Sequence, residues 1–270
     1  MTQITLVPHG GLCNRLRALL SVRYLADHAP EVKVCAEWAD NTECGARFNE
    51  LFQRESIETE QFQITTRSTI HAPDSRCNLH LPGLLRRFKY DAQWVNFHSI
   101  LTIKNLVQQA LLHRRLYIST GYALCPTPPE GLRRLRPTEK LQQRIDALTA
   151  NFDEHTIGMH IRRTDNVKSI AHSGDDLFRN AIREAIFQDE HANFFLATDD
   201  NTLKAQLVAE FPGRIAIQHC QGSRANLQGM EEAVVDLYAL SRTSRLLGSY
   251  WSSYTDTAAE LGDIPLTILK

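Results

Sequence analysis

The sequence has no long hydrophobic run, and its formal charge is close to zero. No segment reaches the roughly 18 uninterrupted apolar residues of a transmembrane helix, so the sequence predicts no membrane span. Lys and Arg total 30 against 31 Asp and Glu, a formal net charge of −1, which gives no sign of a nucleic-acid partner. With 43% hydrophobic and 23% charged residues the composition is that of a globular chain. Any anion site must therefore arise from a local arrangement of basic residues.

Cysteine pairs at characteristic spacings are also missing. The six cysteines form no C-x-x-C and no Cys/His set at zinc-finger spacing, so free or buried thiols are expected rather than disulfides or a structural metal. The first residues, 1–8, lack the basic and apolar regions of a signal peptide, and the expected location is the cytosol.

Several common nucleotide and hydrolase motifs do not occur. The sequence contains no G-x-x-x-x-G-K-[ST], G-x-S-x-G or H-E-x-x-H, which disfavours phosphate-loop enzymes, esterases and zinc proteases. The glycine pair Gly10-Gly11 is not part of G-x-G-x-x-G, so a nicotinamide enzyme is disfavoured as well.

Proline marks the most obvious break in the chain. The stretch 125–131 carries three prolines, which fix φ and remove backbone donors, so it is predicted to lack regular structure. We predict a linker over 126–136 between an N-terminal domain, 1–125, and a C-terminal domain, 137–270. A chain of 270 residues is long enough for two domains.

The C-terminal half alternates between strand-like and helix-like patterns. Runs that are nearly apolar predict buried strands, and apolar residues at spacings of three and four predict helices. The predicted strands are 156–161, 193–197, 214–218, 245–249 and 265–268. The predicted helices are one around Leu141, Ile145 and Leu148, one over 177–186, one that contains Leu203 and Leu207, one over 230–241 and one over 255–261. Ser173 or Asp175 is available as the cap of the helix over 177–186. This alternation is typical of a doubly wound parallel sheet.

The first half begins in the same way. A strand over 4–7, a turn at 8–11, a helix from about Asn14 and a strand over 32–36 are predicted. Between Cys44 and Arg115 only a helix over 101–113 and a weak alternation at 62–66 stand out. The expected fold is α/β with two facing Rossmann-like domains.

Ligands of open α/β sheets bind beyond the carboxyl ends of the strands, so polar residues at those positions are candidate site residues. Four clusters occupy them: His9-Gly10-Gly11, His160 to Asp165, Thr198-Asp199-Asp200 and Ser249 to Ser253.

The pair Arg162 and Arg163 is the strongest of these signals. Two guanidinium groups at the end of an apolar strand can grip phosphate oxygens, although pairing with Asp165, Asp199 or Asp200 is the alternative. Ser252 and Ser253 precede a predicted helix, where they serve either an anion or the helix cap alone.

Three acidic residues and one turn leave several interpretations open. Asp199 and Asp200 suit metal ligands, hydrogen-bond acceptors or a helix cap. Asp236 lies among apolar residues of a predicted helix, which suggests that it faces a polar ligand or an arginine. Gly10-Gly11, followed by Asn14 and Arg15, provides a turn that lets a ligand approach the backbone.

The three ordered motifs of the C-terminal half resemble those of the α1,6-fucosyltransferase and nodulation-fucosyltransferase superfamily. The similar segments are His160 to Asp165, Ala197 to Asp200, and Asp236 to Ser241 followed by Gly248 to Ser253. They lie within residues 155–262. The segment His9 to Arg15 is similar to the glycine turn that opens related fucosyltransferases.

The resemblance implies a GT-B-like fold and inverting, metal-independent transfer from a GDP-sugar, most directly GDP-fucose. It implies that the C-terminal domain binds the donor and that the N-terminal domain is the acceptor side. No cofactor is implied, and the acceptor is expected to be a glycan, a lipid-linked glycan among the options. The implied donor-site residues, in order along the chain, are His160 near guanine, Arg162 on the β-phosphate, Arg163 in support, Asp165, Asp199 and Asp200 ordering the site, Asp236 near guanine, and Ser252 and Ser253 at the diphosphate.

One departure from the family pattern leaves the catalytic base open. The family's glutamate and lysine positions beyond the arginine motif hold Ile170 and Asn166 here. The candidates for the base are Asp165, His172, Asp175, Asp176 and His9, and transfer without a dedicated base is a further option.

Two other functions remain as alternatives, and two basic stretches have more than one interpretation. Asp199 and Asp200 could clamp a metal-bound diphosphate in a GT-A-type transferase, or the chain could bind GDP without catalysis. The basic stretches 84–89 and 133–136 suit either a solvated face or contact with a membrane. The second option would place the chain at the inner face of a membrane.

Overall fold

The computed structural model describes residues 1–66, 81–164, 167–220 and 222–270. The chain divides into two compact units, Met1–Glu139 with Gln221–Glu231, and Lys140–Cys220 with Glu232–Lys270. Each unit is built around one five-stranded sheet.

The sheet of the first unit is parallel throughout, with the strand order β3-β2-β1-β5-β4. The strands are β1 Thr2–Pro8, β2 Val32–Trp38, β3 Phe62–Thr66, β4 Ala92–Val95 and β5 Arg115–Thr120. The helices are α1 Leu12–His28, α2 Phe48–Leu51, α3 Gly83–Lys89, α4 Ile103–Leu111 and α5 Pro129–Arg133, with a 3-10 turn at Arg54–Ser56.

The sheet of the second unit is also parallel, with the order β10-β9-β6-β7-β8. The strands are β6 Thr156–Ile161, β7 Asn193–Thr198, β8 Ile215–Ile217, β9 Arg245–Ser249 and β10 Leu266–Leu269. The helices that follow α5 in the chain are α6 Glu139–Leu148, α7 Val167–His172, α8 Asp175–Gln188, α9 Asn201–Glu210, α10 Leu227–Leu240 and α11 Ser253–Gly262.

The core of the second unit explains why its elements were predictable. All six residues of β6 are buried, so the strand contacts protein on both faces, as its apolar run indicated. Phe178 and Ile182 of α8 pack with Met159 and Leu196 of the central strands. The expected fold class, α/β with Rossmann-like parallel sheets, is confirmed.

Two local predictions were wrong, both around helix starts. The proline-rich stretch 125–131 is partly helical, since α5 begins at Pro129, where a fixed φ suits the first helical residue and the missing N–H is not needed. The cap of α8 is Gly174, without a side-chain bond, rather than Ser173 or Asp175. The Ser173 hydroxyl instead donates to the Leu269 carbonyl and accepts the Tyr250 N–H.

The thiols and the helix hydropathy are described for the same residue ranges as the fold. The cysteines there are all free thiols, and Cys77 lies outside the described part. No helix in the described ranges is both long enough and apolar enough to cross a membrane.

Candidate functional site

The order of the second sheet creates a switch point between β6 and β9. From β6 the chain first adds β7 and β8 on one side, and it later adds β9 and β10 on the other. Ligands of open parallel sheets bind beyond the carboxyl ends of the two strands at such a point. His160 is paired in register with Gly248 of β9, and the Arg162 N–H donates to the Ser249 hydroxyl at 3.1 Å. The predicted arginine motif and serine motif therefore meet at the switch point.

Asp199, at the end of β7, organises the arginine motif. Its carboxylate lies 3.1 Å from Nη1 of Arg162 and accepts the Arg163 N–H at 2.7 Å. It also accepts the N–H and the hydroxyl of Thr164, at 3.2 and 2.6 Å. Burial raises the pKa of Asp199. The Arg162 charge and these donors together lower the pKa by more than burial raises it, so the net pKa lies below its ordinary value. Asp199 is therefore ionised and fixes the Arg162 guanidinium.

Arg162 keeps contact with solvent despite this pairing. Its side chain is 28% exposed, and the structure places it beyond the carboxyl end of β6. Arg162 thus combines an ion pair to Asp199 with a guanidinium that stays partly exposed, and guanidinium groups bind phosphate oxygens well.

Arg163 points into the protein. Its Nε and Nη2 contact Asp175 Oδ1 at 2.7 and 2.6 Å, and Nη2 also donates to the Ser173 carbonyl at 2.7 Å. The guanidinium lies 5.8 Å from the ring centroid of Phe178. The alternative of internal pairing thus holds for Arg163, with Asp175 as partner in place of the three aspartates considered from the sequence.

His160 is buried and makes its contacts on α11. Nδ1 lies 2.7 Å from the Thr255 hydroxyl and 3.4 Å from that of Ser252, and the ring is 4.7 Å from that of Tyr254. Burial, followed by the charge of Arg162, lowers the pKa of His160 to about 3. The imidazole is therefore neutral and offers one donor and one acceptor.

Ser252 caps α11, and Ser253 is the first residue of that helix. The Ser252 hydroxyl accepts the Thr255 N–H at 3.4 Å. The preceding residue, Trp251, has φ +57°, which is uncommon for a bulky side chain. The cap interpretation of Ser252 is confirmed, and the first turn of α11 places backbone N–H groups beside the arginine motif's strand.

Asp200 caps α9. Its Oδ1 accepts the N–H groups of Thr202 and Leu203 at 2.8 and 3.0 Å. Both carboxylates considered for a metal clamp thus accept donors from the protein itself. Within the described ranges no three His, Cys, Asp or Glu side chains come together in a way that could hold a metal ion.

Asp236 belongs to a buried polar cluster that the sequence revealed only in part. Gln218 Nε2 donates to Asp236 Oδ1 at 2.8 Å, and the Cys220 thiol lies 3.8 Å from Oδ2. Burial raises the pKa of Asp236 to about 7, against the opposing charge of Lys204, while Glu232 adds to the rise. A carboxylate on an apolar helix face was the only signal for this cluster.

The glycine turn of the first unit lies at the end of β1. Gly10 has φ +81°, and its N–H donates to Glu43 Oε2 at 2.9 Å. The His9 N–H donates to the Thr120 carbonyl at 3.0 Å, and the His9 side chain is buried. Asn14 packs beside the turn, since a Cβ on Gly10 would lie 3.1 Å from its Nδ2.

Arg15 is fully buried beneath this turn. Its Nε donates to the Gly10 carbonyl and its Nη2 to Asn41 Oδ1, both at 2.7 Å, and its Nη1 donates to the Ala39 carbonyl. The guanidinium also lies 5.3 Å from the ring of Trp38. The structure thus uses Arg15 to hold the turn in shape.

The candidate bases have different surroundings. The His172 ring packs edge-on against Tyr250 at 5.1 Å, Asp175 pairs with Arg163, and Asp176 is exposed. His9 belongs to the first unit, whereas Asp165 and Asn166 lie outside the described residues. The identity of the base therefore stays open.

A cavity of about 370 Å³ lies in the first unit between α1, the 3-10 turn and the start of α5. None of the predicted site residues lines it. The cavity is thus separate from the candidate site.

The two parallel sheets define the class of protein, which is an α/β chain of GT-B-like architecture. An arginine and a helix start lie at the carboxyl edge of its second sheet. The fold resemblance to fucosyltransferases that the motifs indicated is confirmed. NodZ α-1,6-fucosyltransferase soaked with GDP-fucose aligns with a TM-score of 0.60 and 16% identity, over 97% of this chain and 93% of that chain. Fucosyltransferase NodZ from Bradyrhizobium gives 0.61 and 15%, over 96% and 93%.

POFUT1 in complex with GDP aligns with a TM-score of 0.58 and 12% identity, over 99% of this chain and 98% of that chain. No family model and no curated protein matches the sequence. At these identities the likeness establishes a shared fold.

Proposed function

We propose that this chain is a glycosyltransferase that moves a sugar, most directly fucose, from a GDP-sugar to a hydroxyl group of a glycan. We further propose that transfer inverts the anomeric carbon and needs no metal ion or other cofactor. The observation that carries the proposal is the Arg162 guanidinium, fixed by Asp199 at the switch point beside the first turn of α11. Structures of the same fold were determined with GDP-fucose and with GDP.

The donor diphosphate is assigned to Arg162, Ser252 and Ser253. The Arg162 guanidinium is partly exposed and suits phosphate oxygens, and the first turn of a helix favours negative charge. Asp199 orients Arg162, and Arg163 braces the same loop through its bonds to Asp175 and Ser173.

The guanine base is assigned to His160 and Asp236. The neutral imidazole can donate or accept one hydrogen bond, and a buried carboxyl accepts strongly from a ring N–H when ionised. Both side chains belong to the second unit.

In the chemical step, an acceptor oxygen forms a bond to the anomeric carbon while the bond from that carbon to the diphosphate breaks. The electron pair of the broken bond stays on the leaving GDP. The developing negative charge is stabilised by donors that are already in place, namely Arg162 and the N–H groups of α11. The acceptor proton passes to a base of the protein or to the leaving diphosphate.

Metal independence is supported by the way both candidate carboxylates are used. The Asp199 carboxylate pairs with the Arg162 guanidinium and accepts hydrogen bonds from Arg163 and Thr164. The Asp200 carboxylate accepts backbone N–H groups in the first turn of α9. A cationic guanidinium at the phosphates provides positive charge there without an ion.

Thermal unfolding with GDP, UDP, ADP, CMP, GDP-fucose and GDP-mannose, each with and without EDTA, tests the proposal. A ligand that binds only the native state at 100 times its Kd adds about 2.7 kcal/mol to the unfolding free energy. We expect GDP and a GDP-sugar alone to raise the Tm, with no effect of EDTA.

The same experiment separates the alternatives. Stabilisation by UDP that requires a metal would replace the proposal with a metal-clamped transferase. Stabilisation by GDP, combined with no release of GDP from GDP-fucose in an activity assay, would indicate a GDP-binding protein without catalysis. Absence of any nucleotide effect would overturn the donor site itself.

We also propose that the chain acts at the cytosolic face of a membrane, with the N-terminal unit on the acceptor side and a lipid-linked glycan as acceptor. Support comes from α3, on which Leu84, Leu85 and Phe88 are 67%, 52% and 77% exposed. Arg87 and Lys89 of the same helix are exposed and suit anionic headgroups.

Co-sedimentation with vesicles of neutral and anionic phospholipid tests this placement. The native chain should bind the anionic vesicles, and a Phe88→Ser variant should bind them several-fold more weakly, because each buried CH₂ contributes about 0.8 kcal/mol. Leu112→Ser, a change at another exposed apolar residue, serves as the control. Equal vesicle binding by the native chain and the Phe88→Ser variant would contradict the proposed membrane placement.

A further inference from the structure

One exposed aromatic residue of the second unit lies directly beside the proposed donor site. Trp251 connects β9 to α11, immediately before the Ser252 cap, and 63% of its surface remains accessible. A tryptophan that stays exposed at a site edge offers a flat apolar face with a polar N–H at its rim.

The backbone at this residue is unusual as well. Trp251 has φ +57°, in the left-handed region that L side chains with large rings rarely adopt. Such a conformation is strained and persists only where the surroundings hold it, often at ligand sites. The indole is thus held away from the core by the local fold, and the cap of α11 follows it directly.

Neighbouring side chains order the ring. Lys168 Nζ lies 4.2 Å from the indole centroid, and the Tyr250 ring lies 6.0 Å away. Tyr250 in turn contacts His172, and Lys270 Nζ lies 5.4 Å from its ring. These contacts restrict the indole before any ligand arrives, which lowers the entropic cost of binding to it.

From this arrangement we infer that Trp251 is the stacking platform for a pyranose ring of the acceptor, an inference that rests on the proposed transferase function. A pyranose presents a face of axial C–H groups, whose apolar contact suits an indole, while its equatorial hydroxyls point outward to polar groups. Lys168, whose Nζ lies over the ring, offers N–H donors to such hydroxyls. The acceptor hydroxyl would thereby be held next to the diphosphate-binding turn.

Saturation-transfer NMR tests the inference with three probes: methyl β-D-glucopyranoside, methyl β-D-galactopyranoside and methyl 2-acetamido-2-deoxy-β-D-glucopyranoside, each with GDP present. We expect at least one probe to bind the native chain, with the strongest saturation on the protons of one ring face. Trp251→Gly, which removes the ring and tolerates the positive φ, should weaken that binding about tenfold or more, as loss of a central aromatic anchor does.

Two further variants complete the experiment. Trp251→Phe keeps an aromatic face and should retain most of the probe binding. Phe187→Ala removes an aromatic residue that is 91% exposed at the end of α8, and it should leave probe binding unchanged.

The GDP-induced rise in Tm, measured on every variant, separates this inference from the donor proposal. If GDP does not stabilise the native chain, the donor proposal fails on its own. If GDP binds but no probe binds the native chain, or Trp251→Gly binds the probe as well as the native chain does, the stacking inference is overturned. It is also overturned if Trp251→Gly loses GDP binding, because the ring would then serve the donor.

Discussion

At the scale of single residues, Arg162 and Arg163 show how neighbours in the sequence take different roles. Arg162 pairs with Asp199 through one edge of its guanidinium and stays partly exposed, whereas Arg163 is bonded to Asp175 and Ser173 inside the protein. The difference follows from alternation beyond a strand end, which directs successive side chains to opposite sides. Only Arg162 is placed to meet an external anion.

Arg162→Ala should lower the rate of GDP release from GDP-fucose by about 10²–10³-fold, as the loss of one preorganised donor to a developing charge does. The fold should persist, because the side chain is partly exposed. Arg245→Ala is the control and should keep the native rate, because Arg245 is exposed at the amino end of β9, away from the carboxyl ends of the strands. A rate for Arg162→Ala within a few-fold of the native rate would refute the assignment.

Asp236 predicts a pH dependence of stability with a defined sign. Burial raises the pKa of Asp236 to about 7, so between about pH 4 and 7 the folded chain binds more protons here than the unfolded chain. Its contribution to stability is complete below the unfolded pKa and is lost as the pH rises through about 7. Asp236→Asn should therefore gain stability over the native chain between pH 5 and 8, by on the order of 1–4 kcal/mol.

Urea unfolding of both chains at pH 5, 6.5 and 8 measures this difference. The charged and titratable groups around the carboxyl are Lys204, Cys220 and Glu232, and they are unchanged in the variant. Asp176→Asn removes an exposed carboxylate as control and should show no comparable trend. A difference between Asp236→Asn and the native chain that stays constant with pH would argue against a buried, titrating carboxyl.

At the scale of elements, two helix caps that look alike are expected to differ in function. Asp200 caps α9 by accepting two backbone N–H groups, and Ser252 caps α11 by accepting one, that of Thr255. Only the second cap belongs to a helix that starts at the switch point between β6 and β9.

Asp200→Ala and Ser252→Ala should each lower the unfolding free energy by about 0.5–2 kcal/mol, the usual cost of losing a cap. Ser252→Ala should also weaken GDP binding several-fold, since its hydroxyl is assigned to the diphosphate. Urea unfolding together with GDP titration by calorimetry measures both effects. Equal GDP affinities for the two variants would show that Ser252 is a cap and nothing more.

Prediction of elements succeeded where one periodic pattern covered a whole element. Helix α8 and strands β6, β7 and β9 follow their patterns almost residue by residue. Strand β5 was missed because its end, Ser119-Thr120, is polar although both residues are buried. The Thr120 hydroxyl is satisfied by the Phe97 carbonyl, a partner that no local pattern reveals.

Strand β4 and helix α3 were missed for a different reason. Both are short, and both keep much of their surface exposed, so neither shows a clear apolar periodicity. Their positions depend on pairing with β5 and on Tyr90, which packs on Tyr117 at 5.1 Å.

At the scale of the whole chain, the segment 222–231 belongs to the first unit although second-unit residues flank it on both sides. The Gly45 N–H donates to the Arg224 carbonyl at 2.7 Å, and a Cβ on Gly45 would lie 2.2 Å from the backbone of Ala225. This close approach requires glycine.

Gly45→Ala should therefore displace the segment from residue 45 and lower the unfolding free energy by about 1–3 kcal/mol, the typical cost of a forced overlap. Gly131→Ala is the matched control, because a Cβ there meets nothing within 4 Å and the residue is helical. It should be neutral or raise stability by about 0.4–1 kcal/mol. Thermal and urea unfolding of both variants checks the pair, and a Gly45→Ala chain as stable as the native one would contradict the close contact.

The sequence by itself determined the fold class of this protein and the positions of its main polar clusters. Alternating patterns define the parallel sheets, and the carboxyl ends of the strands bring Arg162, Asp199 and Ser252 to one edge. Both results follow from local periodicity, which each segment carries in itself.

The tertiary structure decided which of these residues pair and which stay accessible. It joined Arg163 to Asp175, Gly10 to Glu43, and Asp236 to Gln218. The partners lie 12, 33 and 18 positions apart in the sequence, respectively. None of the three pairings is visible in a local sequence pattern, because a buried polar group takes its partner from whatever the fold brings within hydrogen-bond distance.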